Sequence, residues 1–157
     1  SPAMARLRQR DMAEYERAVA RLFGLMWWTM IPLSALVALF APAIVSLLYG
    51  PAFAAAAPML SVHAFASMPI ALGVAQSVWI VNEKRNMIAL HRTVLGVACN
   101  VGLNLWLIPR YGGLGAAIAT VAAQVVAALL SNLILAPSIL RVQLRSLVHP
   151  STRRPLQ

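Results

Sequence analysis

Residues 22–82 read LFGLMWWTMIPLSALVALFAPAIVSLLYGPAFAAAAPMLSVHAFASMPIALGVAQSVWIVN, without a single Asp, Glu, Lys or Arg. One bilayer crossing takes about twenty apolar residues, so a charge-free run of about sixty must hold two. The division falls at Tyr49-Gly50-Pro51-Ala52, because Gly followed by Pro ends a helix and permits a tight reversal. Span one then covers about 22–48 and span two about 55–81.

Working outward, the charged stretch Asn82-Glu83-Lys84-Arg85-Asn86 is a short loop. A third span runs over about 88–108 and stops at Pro109-Arg110-Tyr111-Gly112-Gly113, where Pro and paired glycines favour a turn. A fourth covers about 114–135 and ends before Pro137. Upstream, residues 1–21 interleave Arg6, Arg8, Arg10, Asp11, Glu14, Glu16, Arg17 and Arg21 with apolar residues at helical spacing, which predicts an amphipathic connector at the membrane face. Downstream, 137–157 read as a basic tail carrying Arg141, Arg145, Arg153 and Arg154. The expected fold is all-α, a polytopic transmembrane helix bundle of about four spans.

The composition agrees. Of 157 residues, 61% are hydrophobic and 11% charged, with mean hydropathy +0.75, too little charge to cover a soluble domain and too little polarity for disorder. The net charge of +9 does not point to nucleic acid, because the cations cluster in gaps between apolar runs. Nearly all of them fall in the N-terminal segment, the 82–86 loop with Arg92, and the tail, whereas 49–53 has none. By the positive-inside rule both termini are cytoplasmic and both Gly/Pro turns external. The lone Cys99 allows no disulfide framework or Cys-based metal motif. A start at Ser1 with no signal peptide visible reads as a chain cut from something longer.

Amides and small residues carry the polar signal. Gly96, Asn100 and Asn104 recur every fourth residue, as do Ala116, Thr120, Gln124, Ala128 and Asn132, and Gln76 with Ser77 follows Gly73. Such faces either glue helices together or line a polar path, and both readings stand. His63 is either a proton-coupling group or a hydrogen-bonded structural residue. Arg92, with Lys84 and Arg85 nearby, either contacts a phosphate or snorkels to the interface. Pro32 and Pro42 within span one are expected to bend it, and Pro58 and Pro69 do likewise in span two. Trp27, Trp28, Trp79, Trp106, Tyr49 and Tyr111 read as interfacial belt residues. No P-loop, HExxH, paired intramembrane carboxylate or Ser/His/Asp set is present, so the sequence implies no enzyme, metal or cofactor.

The run Asn100-Val-Gly-Leu-Asn-Leu-Trp-Leu-Ile-Pro-Arg-Tyr-Gly-Gly-Leu-Gly-Ala-Ala-Ile-Ala-Thr120 resembles the late transmembrane region of polysaccharide (O-antigen type) flippases. These belong to the multidrug/oligosaccharidyl-lipid/polysaccharide exporter superfamily. Phe40-Ala41-Pro42, Leu48-Tyr49-Gly50, Ala56-Ala57-Pro58-Met59-Leu60 and Asn82-Glu83-Lys84 fall at similar spacings. The resemblance implies a fragment of a two-bundle transporter in the bacterial inner membrane, carrying a lipid-linked glycan by alternating access and packing against N-terminal spans of a parent protein. Lipid II flippases of the same superfamily are the close alternative. A glycan polymerase or ligase fragment and a non-transporting packing module are the remaining ones.

The topology is open to labelling. In a Cys99→Ser background, Ala52→Cys is expected to react with an impermeant thiol reagent from outside, and Lys84→Cys only after permeabilisation; the reverse pattern inverts the orientation.

Overall fold

The structure is a computed structural model and describes residues 12–148. Arg6, Arg8, Arg10 and Asp11 of the expected connector, and Arg153 and Arg154 of the expected tail, lie outside the described residues. Helix α1 (Met12–Tyr49) is followed by a 3-10 turn (Pro51–Ala56), α2 (Ala57–Ala64), α3 (Ser67–Asn82) and α4 (Asn86–Val125). A π-helical turn (Val126–Leu130), the short α5 (Asn132–Leu135) and α6 (Pro137–Val148) complete the order. Among the described residues there is no strand.

Three continuous stretches are long and apolar enough to cross a membrane: Glu14–Tyr49, Pro51–Asn82 and Asn86–Leu135. The third, 50 residues long, doubles back. Gly112 has φ 56° and ψ −134°, a region that side chains exclude and glycine tolerates. Beyond it the two limbs of α4 run antiparallel: Gly96 faces Ala127, and nearer the turn Gly115 rests on the backbone of Leu107. Four helical limbs result, and small residues (Gly96, Ala119, Ala123) let the last two approach closely.

Residues 12–21 are continuous with span one. They form the first turns of α1, which runs unbroken through Pro32 and Pro42. Its inward stripe of Tyr15, Val19, Phe23 and Trp27 recurs every fourth residue and is buried. What covers it is α6, whose Ile139 joins the same core together with Leu72, Ala75 and Ala128. The segment beyond Pro137 is thus in part a docked helix, not only a tail.

Span two is broken. Helices α2 and α3 meet at Phe65 and Ala66, because the ring of Pro69 would clash with the Phe65 carbonyl four residues earlier and offers it no N–H. Ser67 Oγ instead donates to Ala64 O at 2.8 Å. Ser34 and Ser67 share a hydroxyl bond of 2.8 Å, and Ser61 Oγ donates to Ala38 O at 3.0 Å, tying α1 to both pieces.

Gly115→Ala is expected to cost about 1–3 kcal/mol of stability, as overpacking does, because the new methyl would collide with the Leu107 carbonyl. Thermal unfolding in detergent measures this, with Gly102→Ala, where the added carbon meets nothing within 4 Å, as the unaffected comparison.

Candidate functional site

The candidate polar residues separate into two groups. Gln76 and Asn132 are fully buried and bond to each other. Gln76 Nε2 donates to Asn132 Oδ1 at 2.6 Å, and Asn132 Nδ2 donates to Gln76 Oε1 at 3.2 Å. A third amide completes the joint, with Asn132 Nδ2 donating to Gln143 Oε1 at 3.0 Å. Gln143 Nε2 reaches Ala128 O at 3.3 Å, and Trp27 Nε1 donates to Gln143 O at 3.0 Å. These groups therefore join α1, α3, the end of the fourth limb and α6. Trp27 corrects its reading as a belt residue: it is 5% exposed and spends its N–H inside the protein.

Gln143 was not singled out in the sequence. Its signal was present, since Ile139, Gln143 and Ser146 follow at helical spacing on the face opposite Arg141 and Arg145.

The second group opens outward. A cavity of about 380 Å³ between α3 and the two limbs of α4 is lined by Gly73, Ser77, Arg92, Thr93 and Gln124, among others. Next to it lies one of about 300 Å³ lined by Gly96, Asn100, Thr120 and Gln124. Gln124 and Ala127 belong to both walls, so the two cavities adjoin along one polar seam. Arg92 stands about two turns into the bundle from the 82–86 loop. Its Nη1 donates to Gly73 O at 3.2 Å and its Nη2 to Ser77 Oγ at 3.3 Å. A guanidinium carries five N–H donors in a planar fork, so this pair of contacts fixes its orientation and leaves donors for an anion in the cavity.

Farther along, Asn104 Nδ2 donates to Asn100 Oδ1 at 2.9 Å, while Asn104 Oδ1 is buried without a partner. Thr120 Oγ1 donates to Ala116 O at 2.9 Å, leaving an acceptor toward the seam. Arg92 and Asn100 are separated by about 12 Å of helix rise. The arrangement presents a cation at one end and amides with a hydroxyl at the other.

The remaining candidates lie elsewhere. His63 is exposed and lines a largely apolar cavity of about 340 Å³ with Ser34 and Ser67. Lys84 and Arg85 sit on the loop outside the seam. Arg85 stacks over Trp79 at 5.9 Å, and Lys84 takes φ 55° in the turn. Pro32 and Pro42 are exposed on α1. At the opposite end of the bundle Arg110 donates to Trp106 O at 2.6 Å and lies over that indole at 4.8 Å. Among the described residues no group of His, Cys, Asp and Glu could hold a metal ion.

Long apolar helices enclosing a polar seam define a multi-pass helical membrane protein. A family model described as lipid II flippase MurJ matches residues 2–150. The chain belongs to that family, whose members are flippases of membrane glycan precursors rather than enzymes. No curated protein and no solved structure matches the chain.

Asn132→Ala is expected to lower stability by about 1–3 kcal/mol, because it strands buried Gln76 and Gln143 amides, with the lower end favoured by the modest worth of interhelical bonds in membranes. Asn132→Leu with Gln76→Leu and Gln143→Leu together should cost less than the three single changes summed; chemical unfolding in detergent compares them.

Proposed function

We propose that the seam is one wall of a translocation path for a lipid-linked glycan precursor, with a lipid II type cargo. The observation that carries this is the half-buried Arg92, bonded to Gly73 O and Ser77 Oγ beside a cavity that adjoins the one lined by Asn100, Thr120 and Gln124. A guanidinium fork matches a phosphate group, and amides with a hydroxyl match sugar hydroxyls. Bonds to Gly73 O and Ser77 Oγ hold the guanidinium against protein, where a snorkelling side chain would extend to the interface. The family supports lipid II over the O-antigen type cargo that the sequence resemblance placed first.

The seam is open on one side, and a second helical bundle facing it would close the path and permit rocking of one bundle against the other. The basic residues Arg17, Arg21, Lys84, Arg85, Arg141 and Arg145 share one end of the bundle, since α6 packs on the start of α1 and its Ser138 and Ile139 lie beside Trp79. That end is assigned to the cytoplasm of a bacterial inner membrane, with both termini there.

Asn100→Ala with Asn104→Ala, and separately Arg92→Gln, placed in the full-length protein, are expected to leave membrane-inserted protein at normal abundance. Lipid II translocation should fall about tenfold or more for Arg92→Gln, the worth of hydrogen bonds to a charged group. Protein level and surface-accessible lipid II are measured in cells depleted of their own flippase. Parallel loss of protein and transport assigns these side chains to packing, and unchanged transport removes the seam from the path. Restoration of surface O-antigen instead of lipid II export would change the cargo.

A further inference from the structure

We infer that the outer face of α6 binds the headgroups of anionic phospholipids through Arg141 and Arg145. The twelve residues Pro137–Val148 divide into three sectors at about 100° per residue. Ile139, Gln143 and Ser146 are 2%, 0% and 3% exposed and face the protein. Leu140, Leu144 and Leu147 form the adjoining sector, in which Leu144 is 50% exposed. Arg141 and Arg145, one turn apart and both exposed, occupy the third.

A helix docked on protein by one face, apolar on the next and cationic on the last matches the boundary between acyl chains and headgroups. The leucines lie toward hydrocarbon and the guanidinium groups toward phosphate. No acidic residue stands on α6. Neither arginine has a hydrogen bond or ion pair among the described residues, so both forks are available. A carboxylate packed against this helix is that of Glu16, beside Ser138 and Val142 on the flank next to Arg145, and it forms no ion pair with either arginine. Charge complementarity thus selects an anionic headgroup, and the adjoining leucine sector selects one attached to acyl chains. This holds whatever the cargo of the seam.

Native mass spectrometry of the full chain in detergent, titrated with phosphatidylglycerol and with phosphatidylcholine, tests it. The wild-type chain is expected to retain phosphatidylglycerol preferentially. Arg141→Gln with Arg145→Gln should weaken that binding about tenfold or more, from about fivefold for each surface arginine, and leave phosphatidylcholine unaffected. Arg141→Lys with Arg145→Lys should restore most of it, and Lys84→Gln with Arg85→Gln should leave it intact. Melting temperature in detergent, expected to be unchanged because both side chains are exposed, separates loss of a site from loss of fold. Equal weakening by the loop substitutions would reduce the effect to net charge and overturn the proposal. So would unaltered phosphatidylglycerol binding in the double glutamine variant, or displacement of phosphatidylglycerol from wild type by equimolar undecaprenyl diphosphate, which would mark a cargo site.

Discussion

The joint of Gln76, Asn132 and Gln143 is the interaction on which the arrangement of helices depends. Helices in lipid gain little by hiding apolar surface from one another, since hydrocarbon is as apolar as leucine. Packing of small residues brings limbs close but leaves their axial register loosely defined. Three fully buried amides, with Asn132 bonded to both Gln76 and Gln143, admit one register, because any slide leaves polar groups unpaired in a medium without water. Through the Trp27 N–H the same joint reaches α1, so four elements are fixed at one point.

A bundle clamped at that point can keep an open seam elsewhere. Arg92 and Gln124 lie in the groove between α3 and the limbs of α4, and Asn100 and Thr120 between the two limbs, where close packing would otherwise fill the space. Gly96 touches Ala127 and defines how near the limbs come. The rigid end and the open groove are made from the same residue types. Partner number distinguishes them: Asn132 has donors and acceptors satisfied within the protein, whereas the Asn104 carbonyl has none.

Much of the architecture was legible in the residues. A charge-free run long enough for two crossings, a Gly-Pro break and a Gly-Gly turn fix the number of limbs, since each signal acts within a few residues. The division of the polar stripe was not legible. Thr120, Gln124, Ala128 and Asn132 fall four apart and share a face on any regular helix, yet Gln124 faces the seam and Asn132 the joint. The cause is the π-helical turn at Val126–Leu130, where Ser131 N bonds Val126 O at 2.8 Å; one extra residue in the turn rotates everything beyond it by about 100°. Propensity does not announce such a turn, which is stabilised by the partners it brings together. The docking of α6 was obscured by its arginines, which drew attention to charge rather than to the spacing of Ile139, Gln143 and Ser146.

The reversal at Gly112 also orders events in time. Limbs joined by so short a turn meet across few intervening residues, so closing that hairpin costs little chain entropy and can begin as soon as the second limb is made. The amide clasp joins residues 56 positions apart, and the Trp27 bond spans 116. The complete joint therefore cannot form until α6 has left the ribosome, and until then these limbs must remain in the bilayer as loosely associated neighbours.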